Sequence, residues 1–229
     1  RIGVLGYPMR VTPDEIENLK VEVANAKKIA KTVKNARLVA LSTTLDDIDR
    51  AADCGVSQVI IRQFLTHVQD LEPESNEQKI EHFIERARRA RSHGMSVGML
   101  GQGVTRADLG DIRTILTAID QEGLLDELCL TDTHGVGTPQ GYSYLVSSVR
   151  EFLDVPIQVH CHNHLGLGVA NACCAAAAGA SIIHTTVHGL GHLAGLAPLE
   201  EVAVALQVGY GIELGLNLEG MFELSQVMQ

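Results

Sequence analysis

The chain has 229 residues, 45% of them hydrophobic, so it can bury a sizeable core as one soluble domain of the size that α/β barrels occupy. Its formal net charge of −10 argues against nucleic acid or an anionic membrane as the main partner, because both require a basic surface. Acidic substrates must then be held by local groups.

Apolar, strand-like runs alternate with helix-like segments along the whole chain. The runs lie at residues 2–5, 38–41, 58–61, 96–100, 127–130, 157–159 and 182–187. This alternation is typical of repeated β-α units and predicts a parallel sheet of seven strands. No linker or second domain interrupts it, so we predict one domain over residues 1–229. An open doubly wound sheet is the rival to a barrel.

Two helix starts carry clear sequence signals. Thr12 precedes a proline and two acids, and a basic amphipathic stretch opens at Ser75, runs through Arg91 and ends at Gly94. This stretch contains a cluster of arginines, namely Arg86, Arg88, Arg89 and Arg91. The cluster could bind phosphate or coenzyme A, but charged outer helix faces are common, and we favour a solvated surface.

The sequence shows no clear membrane helix, signal peptide or disulfide pattern. The longest apolar run, residues 172–183, is shorter than the roughly 20 residues that a membrane helix needs. No signal peptide is visible, although the chain begins with Arg1, so we expect the natural protein to start further upstream. The five cysteines form no C-x-x-C pair, which predicts neither a disulfide framework nor a zinc knuckle, and favours the reducing cytoplasm.

The most informative motif is a pair of histidines, His160 and His162, in a strand that ends at a glycine-rich turn. Alternate side chains of a strand point to the same face, so both imidazoles can reach one divalent cation. The alternative is that one is a satisfied core histidine and the other faces solvent.

The chain resembles the DRE-TIM metallolyases, or HMGL-like enzymes, in and around this motif. The run HCHNHLGLGVANACCAAAAGA and the following TTVHGLGHLAGLAPLEEV are similar to the family's H-x-H-N-x-x-G-x-x-x-A-N segment and G-x-G turn. LTDTHGVGTPQG, at residues 130–141, is similar to its D-T-x-G-x-x-x-P, and Gly6-Tyr7-Pro8 to the end of its second strand. The family includes isopropylmalate, homocitrate and citramalate synthases, hydroxymethylglutaryl-CoA lyase and 4-hydroxy-2-oxovalerate aldolase.

The resemblance implies a TIM (β/α)₈ barrel that lacks its first strand and helix in this sequence. It implies a divalent cation (Mn, Mg or Zn) held by His160 and His162, with a third ligand and an arginine from the R-[DE]-G motif of that first strand. The cation would stabilise the enolate formed when a carbon–carbon bond is made or broken beside a carbonyl. The implied partners are a 2-oxo or hydroxy acid, an acyl-CoA and a second copy of the chain.

Further candidates follow the strands, because the reacting groups of a parallel barrel lie at the carboxyl ends of its strands. Gln102 and Arg106 follow one strand, and Asp132, Thr133 and His134 follow the next, while His188 and His192 follow the last. We interpret Asp132 as structural. The resemblance assigns Thr133 to the substrate carboxylate, although closing the turn is an alternative, and we assign Arg106 to substrate binding as well.

The chain departs from the family pattern at several positions. Leu196 replaces the asparagine that completes the metal shell in isopropylmalate synthases, and His192-Leu193 replaces Glu-Arg. Gln102 replaces a glutamate, and an amide can orient a carbonyl but cannot accept a proton, so the general base must lie elsewhere. We predict that His134 or His188 is the base. We also predict that His188 or His192 compensates for Leu196 in the first or second shell of the metal.

Three classes of function remain at this point. GLGVAN, LEEV and ELSQVM favour an acyl-CoA condensing synthase, which we rank first. DTHGVGTP favours a lyase or aldolase, although the catalytic cysteine loop of hydroxymethylglutaryl-CoA lyase is absent. The lost carboxylates favour a non-catalytic relative.

Overall fold

The architecture was obtained from a computed structural model, which describes residues 28, 31, 37–66 and 74–228. The strands are β1 (Val39–Ser42), β2 (Gln58–Phe64), β3 (Ser96–Gln102), β4 (Glu127–Asp132), β5 (Ile157–Cys161) and β6 (Ile182–His184). The α-helices are α1 (Leu45–Asp53), α2 (Asn76–Ser92), α3 (Leu109–Gln121), α4 (Pro139–Arg150), α5 (Gly168–Ala177), α6 (Leu199–Val204) and α7 (Met221–Val227). Short 3₁₀ turns follow β3 and β6, at Val104–Arg106 and Val187–Gly189, and a π-helical turn at Ala205–Gly209 continues α6.

The six strands form one parallel sheet in the order of the sequence, β1 to β6. A doubly wound sheet reverses its strand order at a switch point, so this uninterrupted order excludes that rival for the described residues and matches part of a barrel wall. The predicted strands are confirmed from β1 onward, whereas residues 2–5 and the helix start at Thr12 lie outside the described residues. The last strand ends at His184, earlier than predicted, although Thr186 still forms a bridge to Pro198.

The two faces of the sheet differ in chemistry. Side chains of the outer face pack with the helices in one large core, which includes Val59, Ile61, Val97, Met99, Leu128, Leu130, Ile157, Val159, Phe83, Ile112, Ile115 and Val146. Each such buried side chain contributes about 1.5–3 kcal/mol, so this layer dominates the stability of the fold. Among the described residues, the inner face holds a small apolar cluster centred on Ile60, Leu100 and Cys129. Several buried polar residues share this face, among them Gln102, Glu127, Gln158 and His160.

Local signals set the helix boundaries. Ser75 caps α2 by a capping box with Gln78, as its position before the acidic first turn predicts. Gly94 then follows the helix with a φ of +73°, a left-handed conformation that favours glycine. Thr138 caps α4, whose first residue is Pro139.

The arginine cluster of α2 is engaged with the protein itself. Three of its members pair with carboxylates at 2.7–2.8 Å, as Arg88 with Glu122, Arg89 with Asp49 and Arg91 with Asp126. Arg86 is half-buried and donates to the backbone oxygens of Thr43 and Arg62 and to the Gln63 side chain. These contacts favour a structural role over a phosphate patch.

Two further sequence expectations can be compared with the structure. All five cysteines are free thiols, and burial raises the pKa of Cys129 to about 12. Across the described ranges, we find no helix with both the length and the apolar character needed to cross a bilayer.

Candidate metal and substrate site

The two motif histidines lie together at the carboxyl end of β5. His160 and His162 are 2% and 3% exposed, and their ring centroids are 5.0 Å apart. Their shared face follows from the two-residue period of the strand, as predicted. The alternative in which one of them faces solvent is therefore wrong.

Both imidazoles are held neutral. Burial, followed by the neighbouring His184 and His162 rings, lowers the pKa of His160 well below its usual value. Burial also lowers the pKa of His162, with His164 as the next cause. A neutral imidazole offers one nitrogen lone pair, which is the form that binds a metal.

A divalent cation fits these two residues as part of its ligand set. The Nδ1 atom of His162 is buried and has no hydrogen-bond partner among the described residues, so it can accept a ligand bond. No group of three His, Cys, Asp or Glu side chains placed to hold a metal is found in the described part of the chain. His160 and His162 therefore account for two ligands, and a complete set needs others.

The position that carries asparagine in some relatives lies beside this pair. Leu196 forms an antiparallel bridge with His162, and its side chain is 6% exposed. An aliphatic side chain at this place cannot ligate a metal. His192, in the same loop, is exposed and lies close enough to His162 to act on its pKa in two opposite ways, with its ring lowering that pKa and its backbone hydrogen bond raising it.

Gln102 lies on the inner face at the end of β3, next to Thr131 of β4. It is 3% exposed, and its Oε1 atom has no hydrogen-bond partner among the described residues. A buried amide oxygen without a donor is costly unless a ligand or water satisfies it. This observation favours a binding role for Gln102.

Asp132 and Thr133 shape the turn after β4. The buried Asp132 carboxylate accepts from Thr105 Oγ1 at 2.6 Å and from the backbone N–H groups of Val136 at 3.2 Å and Gly137 at 2.7 Å. Thr133 Oγ1 accepts from the backbone N–H of Gly103 at 3.0 Å. These contacts support the structural interpretation of Asp132. The Thr133 hydroxyl already accepts a hydrogen bond within the turn, so a substrate carboxylate would have to bind it alongside that bond.

His134 and Arg106 lie close enough to interact. Burial is the largest cause that lowers the pKa of His134, and the Arg106 charge is the second. Arg106 itself is exposed on the 3₁₀ turn after β3, where its carbonyl oxygen accepts from Thr66 Oγ1 at 3.3 Å. A neutral histidine beside a cation suits the predicted roles of base and substrate-binding residue.

His188 is directed elsewhere. It has a φ of +57°, it is exposed, and its Nε2 atom contacts the Ser225 hydroxyl on α7. Its backbone N–H donates to Glu200 at 3.0 Å. The structure thus brings together His160, His162 and the loop of His192, while the contacts described for His188 join it to α6 and α7.

The motifs and the geometry agree with a comparison against protein families. The HMGL-like family matches residues 19–228. The chain belongs to the HMGL-like family. A homocitrate synthase of Methanopyrus kandleri is 37% identical to this HMGL-like chain over 203 residues, which are 87% of the chain and 51% of that protein. An (R)-citramalate synthase of Methanocaldococcus jannaschii is 32% identical over 212 residues, which are 91% and 43% of the two chains. The HMGL-like chain thus spans about half the length of the curated relatives it matches.

Solved structures with the same fold include hydroxymethylglutaryl-CoA lyases. The enzyme of Bacillus subtilis has a TM-score of 0.81 at 18% identity, covering 95% of the HMGL-like chain and 77% of that enzyme. The enzyme of Acinetobacter baumannii, in complex with coenzyme A and 3-methylmalate, has a TM-score of 0.77 at 19% identity, covering 95% and 75%. At these identities the likeness establishes the fold.

Three buried residues of the HMGL-like chain were missed by sequence reasoning. They are Glu127, Gln158 and His184, all on the inner face. Gln158 contacts both Glu127 and His184, and His184 contacts His160. A signal existed, because Gln158 precedes His160 by two residues and so shares its face. Polar residues in otherwise apolar strands were the clue.

Proposed function

We propose that this chain is the barrel of a divalent-metal-dependent enzyme that condenses an acyl-CoA with a 2-oxo acid. The observation that carries the proposal is the buried pair of neutral imidazoles, His160 and His162, at the carboxyl end of a barrel strand. The relatives above 30% identity support the synthase class, because they are homocitrate and citramalate synthases by name.

The condensation forms one carbon–carbon bond. The α-carbon of the acyl thioester loses a proton and attacks the keto carbon of the 2-oxo acid, whose oxygen takes up a proton. Water then cleaves the thioester and releases coenzyme A as a free thiol. A cation at His160 and His162 supplies polarisation of a carbonyl and stabilisation of negative charge.

The other candidate residues divide the remaining tasks. His134 is the proposed base, because its lowered pKa keeps the ring neutral and able to accept a proton. Arg106 attracts the substrate carboxylate, and the buried amide of Gln102 orients a carbonyl or hydroxyl group. We retain Thr133 as a substrate-binding residue and His192 as a candidate metal neighbour. His188 is weaker as a base, because its ring contacts Ser225.

A carbon–carbon lyase is the second candidate, favoured by the DTHGVGTP turn after β4. It would run the related cleavage of a hydroxy acid or hydroxyacyl-CoA at the same site. We propose a homo-oligomer in the cytoplasm for either enzyme. The two enzymes are distinguished by the need for an acceptor.

Metal content provides the first test. The purified protein should retain Mn²⁺, Mg²⁺ or Zn²⁺, and a His160→Ala, His162→Ala double variant should lose it. A His82→Ala, His93→Ala variant is the matched control, because these exposed histidines pair with Glu74 and Asp49 away from β5. Equal metal content in the two double variants would refute the metal site.

Thiol release provides the second test. With acetyl-CoA and a panel of 2-oxo acids, a synthase releases free thiol only when an acceptor is present. Cleavage of a hydroxyacyl-CoA without acceptor-dependent thiol release would favour the lyase. A metal-loaded protein that is silent in both assays would favour the non-catalytic relative.

A further inference from the structure

A chain of buried polar side chains runs along the inner face of the sheet and ends at His160. It begins at Glu127 on β4, whose carboxylate accepts from the Nε2 atom of Gln158 on β5. The Oε1 atom of Gln158 contacts Nε2 of His184 on β6 at 2.7 Å. Nδ1 of His184 in turn lies 3.2 Å from Nδ1 of His160. Each link is buried, so water does not compete for these groups.

The carboxylate fixes the direction of the first link. Glu127 accepts three donors, from the Arg37 guanidinium at 2.6 Å, from the Gln58 amide at 2.8 Å and from the Gln158 amide. A carboxylate paired with a guanidinium can only accept, so the amide nitrogen of Gln158 must face it. The amide oxygen of Gln158 therefore faces His184.

The remaining links follow from the chemistry of imidazole. An amide oxygen only accepts, so Nε2 of His184 must carry the hydrogen of that bond. His184 is 9% exposed, and no carboxylate contacts its ring among the described residues, so the ring is neutral and its Nδ1 atom is an acceptor. The contact of the two Nδ1 atoms consequently needs a hydrogen on His160. The Cys129 thiol, 3.8 Å from the same His184 nitrogen, is only a weak further donor and leaves this direction unchanged.

We propose that Gln158 and His184 are positioning residues that hold His160 in the tautomer with its hydrogen on Nδ1, leaving the lone pair on Nε2 for a divalent cation. The alternative tautomer would place a hydrogen on Nε2 and block that nitrogen as a ligand. The consequence for metal binding rests on the proposed function, whereas the tautomer itself is a property of the metal-free protein. Partners of this kind behind a ligating histidine typically alter metal affinity by about 10- to 100-fold.

The tautomer can be measured in the metal-free protein, and variants are needed only to assign the signals. A long-range ¹H–¹⁵N correlation spectrum of the ¹⁵N-labelled, metal-free protein separates protonated from unprotonated ring nitrogens among the ten histidines. His160→Gln and His184→Gln variants assign the two sets of signals. We expect His160 to be protonated at Nδ1 and His184 at Nε2. A hydrogen on Nε2 of His160 would overturn the proposal.

Two matched variants test the role of the chain of hydrogen bonds. Gln158→Met and Gln58→Met each remove one buried amide donor from the same Glu127 oxygen, but only Gln158→Met cuts the path to His160. In Gln158→Met, we expect the hydrogen of His160 no longer to be fixed on Nδ1. We expect Mn²⁺ binding, measured by isothermal titration calorimetry, to be weaker by about 10- to 100-fold. Gln58→Met should keep the tautomer and change Mn²⁺ affinity less than about twofold, as expected of a residue outside the chain.

The outcomes separate this inference from the proposed function. Identical tautomers and Mn²⁺ affinities in the two methionine variants would overturn the positioning role. A protein with the expected tautomer that binds no Mn²⁺ would uphold the tautomer and contradict the proposed metal enzyme.

Discussion

The turn after β4 depends on one buried carboxylate, and replacement of Asp132 by asparagine tests that dependence. In the structure, one carboxylate oxygen accepts from Thr105 and from the Val136 N–H, while the other accepts from the Gly137 N–H. The asparagine side chain has the same shape but one acceptor only. Either orientation of its amide therefore places NH₂ against a backbone N–H that cannot accept.

The magnitude follows from those contacts. A buried N–H group left without a partner costs about 1–3 kcal/mol, and loss of the charge weakens the bonds that remain, so we expect Asp132→Asn to lower the free energy of unfolding by about 2–4 kcal/mol. In urea unfolding followed by circular dichroism, this corresponds to a midpoint lower by on the order of 1 M. The folded variant should still bind metal at His160 and His162, because the role of Asp132 is structural.

Asp108→Asn is the matched control, since it removes the same charge at the N-cap of α3. Asparagine caps a helix about as well as aspartate, so its free energy of unfolding should change by less than about 0.5 kcal/mol. Equal stability of the two variants would refute the structural role of Asp132. Loss of metal from a stable Asp132→Asn variant would point instead to a direct role in the site.

The remaining predictions concern pH, the loop after β6 and α2. Because burial lowers the pKa of His184 from 6.5 to about 4, its contribution to stability is complete above pH 6.5 and is lost as pH falls to about 4. Urea unfolding at a series of pH values should show that loss in the free energy of unfolding, on the order of 3 kcal/mol. The free energy of unfolding of His184→Gln should depend less steeply on pH. Gly195→Ala should lower the melting temperature more than Gly123→Ala. Both glycines have a positive φ, but of the two only Gly195 has a backbone oxygen close to the place of an added Cβ, at 2.0 Å. Equal shifts would contradict that clash. Arg86→Met should cost about 1–3 kcal/mol, because it leaves the part-buried carbonyls of Thr43 and Arg62 without this donor. Arg88→Met, at an exposed ion pair, should cost less than about 1 kcal/mol, and similar unfolding midpoints would contradict this difference.

Much of the fold could be predicted from the sequence, because the strands bury their outer faces under helices and therefore appear as apolar runs. The common direction of His160 and His162 was equally accessible, since it follows from the two-residue period of a strand. The end of β6 was harder to predict from the sequence. Thr185 and Thr186 have good strand propensity, but the chain leaves the sheet after His184, and local sequence does not encode the bridge from Thr186 to Pro198.

The rest of the site depends on contacts between distant parts of the chain. Glu127 meets Gln58 and Gln158, which are 69 and 31 residues away in sequence, and no local pattern links them. The direction of His188 was also inaccessible, because its own positive φ and the glycine that follows turn the loop toward α7. Sequence reasoning thus located the described strands, but neither the end of β6 nor the side chains that contact the site histidines.

The carboxylate of Glu127 also bears on how the chain folds. The β-α units can pair in sequence order, each with its neighbour, so the outer apolar layer grows through comparatively local contacts. The polar interior does not grow in this way, since Glu127 needs Arg37, 90 residues earlier in the chain, as well as Gln158 beyond it. A partly assembled sheet therefore contains a desolvated, incompletely paired charge, which raises the free energy of intermediates relative to the finished sheet. Glu127 thereby makes assembly of the sheet more cooperative.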